Sequence, residues 1–321
     1  MDPSSDPSSE TAPAAPSTGK ESGSIRTTVR FSHRRSNGIT LHVAEAGPED
    51  GPAVILLHGF PEFWYGWRHQ IDALAAAGYR VLAPDQRGYN LSERPKPVAA
   101  YDLDQLARDV VGLADGLGLT TFSLVGHDWG AAVGFWLASR HPRRLDRFVA
   151  LAAPHPCVWV DAMRNDPVQK KKSGYAKIFR LPWLPETLLR HGNFTAFVAA
   201  LEDSARPAGC SPADLALYRA AWSMPGALTG MVNWYRALFA KKLVLGDAGR
   251  IKVPCLIIWG ENVKFGRPEL AERSAALCDD AHVVHLDTSH WVQHDAPERV
   301  NELLIAFLDR PGLERPGAAS L

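Results

Sequence analysis

An aspartate lies where a strand-like run turns sharply into a helix. Asp128 follows the apolar residues 122–125 and precedes a helical pattern of small apolar residues, with Gly126 two positions before it and Gly130 two positions after it. Such a turn crowds the backbone at its apex, so the flanking positions must lack bulk. The apex side chain lies beside a helix N-terminus, whose dipole favours a negative charge. Asp128 is therefore either a helix cap or a nucleophile.

A carboxylate at this turn has its own chemistry. A serine there attacks a carbonyl carbon, whereas a carboxylate attacks an sp³ carbon whose leaving group is a strained epoxide oxygen or a halide. The product is an alkyl ester of Asp128, a covalent intermediate that divides one difficult reaction into two steps. The second step needs a general base that activates water. His290 is the candidate base, because it follows the last strand-like run, residues 282–286, and precedes Trp291.

Strand-like and helix-like segments alternate along most of the chain and must position these residues. Continuous apolar runs predict buried strands at residues 53–57, 80–83, 122–125, 148–152, 255–259 and 282–286. Helical patterns occur at residues 67–77, 106–117, 268–277 and 298–308, and two early strand-like runs, 27–32 and 39–46, flank an Asn37-Gly38 turn. The alternation predicts an α/β fold, a mostly parallel sheet with helices on both faces.

The alternation stops between residues 154 and 246, where the chain is broken by prolines, helical in pattern and rich in Trp, Tyr and basic residues. A helical block at this point predicts a lid over the carboxyl edge of the sheet, where such sheets bind ligands. The predicted organisation is a disordered tail (1–24), a core in two parts (25–153 and 247–311), the lid (154–246) and a C-terminal tail (312–321). The N-terminal tail is rich in Pro, Ser, Ala and Gly and cannot bury enough surface to order itself.

Several motifs follow one another in a set order along the chain. Together they resemble an epoxide hydrolase of the α/β-hydrolase fold over roughly residues 27–308, although each motif alone is weak. The motifs are His58-Gly59-Phe60-Pro61-Glu62 with Trp64 and Trp67, Asp85-Gln86-Arg87-Gly88-Tyr89, Gly126-His127-Asp128-Trp129-Gly130, Asn233-Trp234-Tyr235-Arg236 and His290-Trp291.

The resemblance implies roles for particular residues in ester formation and in ester hydrolysis. Asp128 is expected as the nucleophile and His290 as the base for ester hydrolysis. The backbone N–H groups of Phe60 and Trp129 are expected to hold the carboxylate and later the oxyanion of the hydrolytic step.

Two tyrosines of the predicted lid are expected to serve the leaving group. The family uses a pair of lid tyrosines as acids for the departing alkoxide, and Tyr175 and Tyr235 fall where that pattern places them. A phenol can donate a proton or a hydrogen bond at neutral pH. The competing interpretation is that these rings only pack the core, as most aromatic residues of the lid do.

One residue of the family pattern is missing. The family has an acid at the last position of a Trp-Gly-Glu-x-Asp pattern, but Val263 stands there in this chain, within residues 259–263. Some relatives place that acid after the strand that follows the elbow helix, but residues 152–155 contain no carboxylate. Such an acid holds the imidazole in the correct tautomer and stabilises its cation.

Two nearby acids could replace the missing one. Glu261 and Asp287 are close to the expected position in sequence, but each needs a different loop path to reach His290. Without a replacement, hydrolysis of the ester is expected to be impaired, whereas its formation needs only Asp128 and the tyrosines.

Composition bounds the class of protein. The chain has 321 residues, zero formal net charge, 46% hydrophobic and 22% charged residues, so it is expected to be globular, without nucleic acid or an anionic membrane as partner. No apolar signal core and four scattered cysteines favour the cytoplasm. No metal or cofactor is expected, the substrate is expected to be a small apolar epoxide, and the chain is expected to be a monomer or homodimer.

Three other interpretations remain open. A haloalkane dehalogenase would share Asp128, Trp129 and His290, but usually has Asn at the position of Phe60 and needs no paired tyrosines. A fluoroacetate-type dehalogenase would need arginines near the elbow, which Trp129 and Val133 do not supply. The missing acid also permits a ligand-binding protein without catalysis on the same fold.

Overall fold

A single sheet organises the described part of the chain. The computed structural model of the protein describes residues 27–202 and 210–310. Within these ranges eight strands form one sheet in the order β1-β2-β4-β3-β5-β6-β7-β8. β2 pairs antiparallel with β1 and with β4, and the other neighbours are parallel. The strands are β1 (Arg30–Ser36), β2 (Ile39–Ala46), β3 (Ala53–Leu57), β4 (Arg80–Pro84), β5 (Phe122–His127), β6 (Leu145–Leu151), β7 (Cys255–Gly260) and β8 (Ala281–Leu286).

Helices cover the sheet in two groups. α2 and α3 pack together, with α2 against β1 and α3 against β5 and β6, while α1 packs with α11 and α12. The helices are α1 (Arg68–Ala76), α2 (Leu103–Gly116), α3 (Trp129–Arg140), α4 (Pro156–Asn165), α5 (Pro167–Lys172), α6 (Tyr175–Ile178), α7 (Leu184–Glu202), α8 (Pro212–Ser223), α9 (Ala227–Ala240), α10 (Glu269–Ala275), α11 (Val292–Asp295) and α12 (Pro297–Leu308). The predicted α/β class with helices on both faces is confirmed.

The strands buried on both faces match their predictions most closely. β3 lies between β4 and β5 and is almost wholly buried, as its continuous apolar run predicted. β2 also has its predicted bounds, and the Asn37-Gly38 turn that precedes it has two positive φ angles, 45° and 78°. Two consecutive positive φ angles are typical of the tight turn that joins antiparallel strands.

Strands with polar residues were predicted less well. The predicted strand at 27–32 was wrong at both ends, because β1 is an edge strand whose alternating exposure leaves Arg34 and Arg35 in the sheet. β6 begins at Leu145 rather than at Phe148, because Asp146 and Arg147 interrupt the apolar run.

The break in the alternation corresponds to the helices α4 to α9, which lie between β6 and β7. We refer to residues 154–246 as the helical insertion. α7 is interrupted by non-helical backbone at residues 191–194. The predicted tails, 1–24 and 312–321, lie outside the described residues.

Across residues 27–202 and 210–310, no helix is both long and apolar enough to cross a bilayer.

Close packing of α3 on the sheet gives a test of the fold. A Cβ on Gly134 would lie 2.7 Å from Cζ of the buried Phe148 ring, whereas a Cβ on Gly116 in α2 would meet only Arg35 O at 3.7 Å. We expect Gly134→Ala to lower the free energy of unfolding by about 1–3 kcal/mol through overpacking. Gly116→Ala, the control, should leave it unchanged or raise it by up to about 1 kcal/mol. Chemical denaturation measures both, and equal effects would contradict this packing.

Candidate active site

Asp128 is the apex of a strained turn between β5 and α3. Its backbone has φ 50° and ψ −118°, a conformation that non-glycine residues rarely adopt. A Cβ on Gly126 would overlap the backbone of Gly130, and one on Gly59 would overlap the Asp128 side chain. Glycine is therefore required at these close approaches, as the sequence predicted for the two residues that flank the apex.

The Asp128 carboxylate faces away from the helix that it precedes. It occupies the cap position of α3, yet its side chain makes no capping hydrogen bond. Its Oδ1 instead accepts a hydrogen bond from the backbone N–H of Phe60 at 2.9 Å, and its side chain keeps 21% exposure. The geometry therefore favours a reactive carboxylate over a helix cap.

The two predicted backbone donors differ. Phe60 holds the carboxylate, but no hydrogen bond joins the N–H of Trp129 to Asp128 among the described residues. Oδ1 is turned toward Phe60 and Oδ2 toward His290, so the role of the Trp129 N–H in holding the oxyanion stays a prediction. The Trp129 ring instead packs against Tyr235, with ring centroids 5.0 Å apart.

His290 lies opposite the carboxylate on the loop after β8. Its Nε2 is 3.5 Å from Asp128 Oδ2, and the residue is 3% exposed. Burial disfavours the charged imidazole and lowers the pKa of His290, although the charge of Asp128 acts in the opposite direction. Burial likewise opposes the charge of Asp128, but His290, His127 and the Phe60 N–H hold its pKa below the usual value. An ionised carboxylate thus faces a neutral base.

The helical insertion brings both predicted tyrosines to the same place. Tyr175 begins α6 and Tyr235 lies in α9, and their ring centroids are 6.0 Å apart. Burial raises the pKa of both phenols, and the negative charge of Asp128 raises it further. Both groups therefore keep their protons at neutral pH and can act as donors.

A cavity joins these groups. Together with the open solvent at its mouth it contains about 560 Å³ of space outside protein atoms, and it is bordered by the core and by the insertion. Most of its wall is apolar or aromatic, which suits an apolar ligand. The core contributes Asp128, Trp129, Trp259, Phe265 and His290, and the insertion contributes Trp159, Tyr175, Tyr235 and Leu238.

The position of the missing acid is apolar in the structure as well. Val263 is 4% exposed, and Nδ1 of His290 is buried without a hydrogen-bond partner among the described residues. Glu261 and Asp287 are both exposed, and Asp287 accepts a hydrogen bond from the Asn262 amide at 2.8 Å. Neither replacement that the sequence suggested therefore holds the imidazole.

A buried carboxylate behind His290 received no role in the sequence analysis. Glu62 is 1% exposed, and its Oε1 accepts hydrogen bonds from Tyr218 Oη and His294 Nε2, each at 2.7 Å. Its Oε2 accepts one from Gln293 Nε2 at 3.0 Å and lies 3.2 Å from His127 Nδ1. The only sequence signal was its place in the motif that also contains Phe60.

His127 connects Glu62 to the candidate base. Its Nε2 donates to the backbone carbonyl of His290 at 2.9 Å, because a carbonyl can only accept. Burial opposes the charge of His127, but its contact with Glu62 and the charge of Asp128 raise its pKa above the ordinary value. For Glu62 burial is again unfavourable, while His294 and His127 hold its pKa well below the usual range. This network fixes the main chain of His290 but not its ring.

These groups can perform a two-step substitution. A carboxylate oxygen with access to the cavity can attack carbon, two phenols across the cavity can protonate a leaving oxygen, and an imidazole beside the carboxylate can activate water. Across the described residues, no group of three or more His, Cys, Asp or Glu side chains could hold a metal ion.

The sheet order, the strained elbow and the covered cavity define a class of protein. Residues 52–297 match the alpha/beta hydrolase fold family. The chain belongs to the α/β-hydrolase family, and several of its relatives are named epoxide hydrolases.

Two curated relatives and one solved structure illustrate the similarity. The chain is 45% identical to AB hydrolase superfamily protein YfhM of Bacillus subtilis (strain 168), over 87% of this chain and 98% of the relative. It is 34% identical to Epoxide hydrolase 4 of Homo sapiens, over 85% of this chain and 77% of the relative. A structure from work on epoxide hydrolases of hot-environment metagenomes superposes with a TM-score of 0.77 at 34% identity, covering 88% of this chain and 100% of that one.

The Glu62 network predicts a large effect on stability. We expect Glu62→Ala to lower the free energy of unfolding by about 3–5 kcal/mol, because it leaves buried partners without their acceptor. The control is Glu49→Ala, whose exposed pair with Arg30 at 3.4 Å should contribute less than about 1 kcal/mol. Chemical denaturation at neutral pH measures both changes.

The difference in free energy of unfolding between the wild type and Glu62→Ala should decrease at acidic pH. The pKa of Glu62 is lower in the folded protein than in the unfolded chain, so its contribution is complete above about pH 4.3 and is lost as the pH falls through the folded pKa. A wild-type advantage over Glu62→Ala that grew below that pH would contradict the assignment.

Proposed function

We propose that the chain hydrolyses epoxides to vicinal diols through a covalent alkyl ester on Asp128. The observation that carries the proposal is the juxtaposition of the ionised Asp128 carboxylate with the protonated phenols of Tyr175 and Tyr235 in one cavity. A dehalogenase needs the carboxylate but not the phenols. The names of relatives such as human Epoxide hydrolase 4 support the same substrate class.

In the first step, an Asp128 oxygen attacks a ring carbon of the epoxide and a new C–O bond forms. The C–O bond to the ring oxygen breaks, and that oxygen takes a proton from one of the two phenols. The electron pair of the broken bond stays on the oxygen, so its protonation removes the developing charge. The product is a hydroxyalkyl ester of Asp128.

In the second step, His290 removes a proton from water as the water oxygen attacks the ester carbonyl. The backbone N–H of Phe60 already contacts Oδ1 of Asp128 and is placed to stabilise the oxyanion. Collapse of the oxyanion breaks the bond between the carbonyl carbon and the alkoxide oxygen, which takes the remaining proton of the former water. The diol leaves and the Asp128 carboxylate is restored. Proton return from the imidazolium, directly or through water, restores the phenol.

Ester hydrolysis is proposed to be the slower step. The imidazolium that forms on His290 has no carboxylate at Nδ1, which is buried without a partner among the described residues. Loss of such an acid costs about 10⁴ in turnover in a serine protease. Loss of the Asp128 charge on alkylation removes a further interaction that raises the pKa of His290. The base stays neutral but becomes a weak proton acceptor.

A haloalkane dehalogenase is the second candidate, and a ligand-binding protein is the third. Phe60 stands where dehalogenases usually have the halide-binding Asn, and both phenols would be idle in that reaction. Incubation with styrene oxide and with 1-bromobutane separates the three functions. Diol, or a covalent adduct of the epoxide on Asp128, supports the proposal; bromide supports a dehalogenase. The absence of both products and of any adduct supports a binding protein.

Removal of one phenol proton tests the acid. We expect Tyr235→Phe to slow single-turnover epoxide opening by about 10²-fold, because general acid catalysis is lost while the ring and its packing remain. The melting temperature should change little. Stopped-flow opening rates measure the effect, and Phe179→Leu, which alters a ring packed 4.9 Å from Tyr235, is the control for packing alone. An unchanged opening rate in Tyr235→Phe would make that phenol structural.

The missing acid predicts that the covalent intermediate accumulates. Intact-protein mass spectrometry after mixing with a small epoxide should show a persistent adduct of the mass of the epoxide on the peptide that contains Asp128. Asp128→Ala should form neither adduct nor diol. Rapid diol formation without any adduct would show that ester hydrolysis is not limiting.

Restoration of the acid is the complementary experiment. We expect Val263→Asp to shorten the lifetime of the adduct and to raise turnover, because the new carboxylate can pair with His290. The matched control is Val263→Asn, because asparagine has nearly the shape of aspartate but no charge. It should neither shorten the lifetime of the adduct nor raise turnover. The aspartate costs stability wherever it stays unpaired at this buried position. Equal adduct lifetimes in the two variants would contradict the role assigned to this position.

A further inference from the structure

Positive charge is concentrated on the helical insertion. The whole chain has zero formal net charge, but residues 164–190 contain seven basic and two acidic residues. The two acids, Asp166 and Glu186, are each paired with an arginine from outside this segment, Arg267 at 2.8 Å and Arg236 at 2.7 Å. The basic residues are Arg164, Lys170, Lys171, Lys172, Lys177, Arg180 and Arg190.

Four of these cations surround one surface depression. Arg164, Lys170, Lys177 and Arg180 border it, and its remaining wall is largely apolar, with Val160, Met163 and Phe239. Arg180 also borders a second depression that contains Trp183. The two depressions therefore form one continuous surface in which cations alternate with apolar groups. We call this surface the outer face of the insertion.

The outer face also exposes large apolar side chains. Trp183 is 71% exposed and has a φ of 50°, a backbone conformation that is unfavourable for a bulky residue. A strained and exposed tryptophan is not explained by packing within the described chain, and it indicates an external contact. Four further apolar residues of the segment 164–190 are exposed by 43–51%: Val168, Ile178, Leu181 and Leu188.

We propose that the outer face docks on a membrane surface that contains anionic phospholipids. Lysine and arginine attract anionic headgroups, and tryptophan is favoured at the boundary between headgroups and acyl chains. An acidic protein would satisfy the cations but not the exposed Trp183 with its apolar neighbours. The zero net charge of the whole chain predicted no such partner. That prediction did not consider how the charge is distributed, and the net charge conceals the local excess of cations on the insertion.

The outer face and the cavity share the helix α6, so docking would place the cavity close to the membrane. The helix α6 contributes Tyr175 to the cavity, while Lys177 of the same helix borders the outer face and Ile178, the next residue, is exposed. Apolar epoxides concentrate in a bilayer by the hydrophobic effect. A docked protein therefore holds its cavity wall next to the phase that contains such substrates.

Vesicle sedimentation tests the proposal without reference to catalysis. The full chain is mixed with vesicles of phosphatidylcholine alone, or with roughly a third phosphatidylglycerol, at low and at high salt. We expect binding to the anionic vesicles that weakens as salt increases. Lys170→Ala with Lys177→Ala should lower the partition coefficient about 30-fold. Trp183→Ala should lower it several-fold without changing the salt dependence.

A matched double variant controls for net charge. Arg143→Ala with Lys252→Ala removes two exposed cations that precede β6 and β7, at the edge of the sheet opposite the cavity, and should bind like the wild type. Thermal melts establish that every variant is folded, and turnover of a water-soluble epoxide without vesicles should be equal in all of them.

Three results would overturn the proposal. They are no binding to anionic vesicles, equal binding to phosphatidylcholine alone, and equal losses in the two double variants. A dimer that requires Trp183, detected by sedimentation velocity in the absence of vesicle binding, would assign the outer face to a second copy of the chain instead.

Discussion

The close approach of three backbone segments at the elbow is the constraint on which the site depends. Asp128 can project into the cavity only because its left-handed backbone conformation is held between Gly59, Gly126 and Gly130, where no Cβ fits. The same approach brings the Phe60 N–H to within 2.9 Å of the carboxylate. Strain in the backbone and stabilisation of the carboxylate are therefore two results of one packing arrangement.

Electrostatics divides the residues around His290 into two groups. On one side, the carboxylate of Glu62 stabilises the charge of His127, whose ring then holds the main chain of His290. On the other side, Nδ1 of the His290 ring is buried without a partner among the described residues, and Val263, at the position where the family pattern has an acid, is buried and apolar. Contacts within the protein therefore fix the main-chain position of His290, but no contact at Nδ1 within the described part of the chain fixes its tautomer or raises its affinity for a proton.

The sequence predicted those features that local patterns encode. The buried strands, the elbow and the position of His290 follow from apolar runs and their order, because a strand buried on both faces is a nearly continuous apolar run. The bounds of β1 and the role of Glu62 could not be predicted, because exposure at a sheet edge and contacts between residues 62 and 294 depend on tertiary packing. The direction in which the Asp128 carboxylate turns, with Oδ1 toward Phe60, could not be predicted for the same reason.

The cavity wall comes from two separately encoded parts of the chain. Asp128 and His290 lie on loops of the sheet, whereas Tyr175 and Tyr235 belong to the insertion between β6 and β7. Under the proposed mechanism, attack and hydrolysis reside in the scaffold, and recognition of the leaving group resides in the insertion. Mutation of the insertion can therefore change which carbon–heteroatom bond is cleaved while the nucleophile is preserved. The architecture is modular, and divergence toward new substrates is less constrained in one module than in the other.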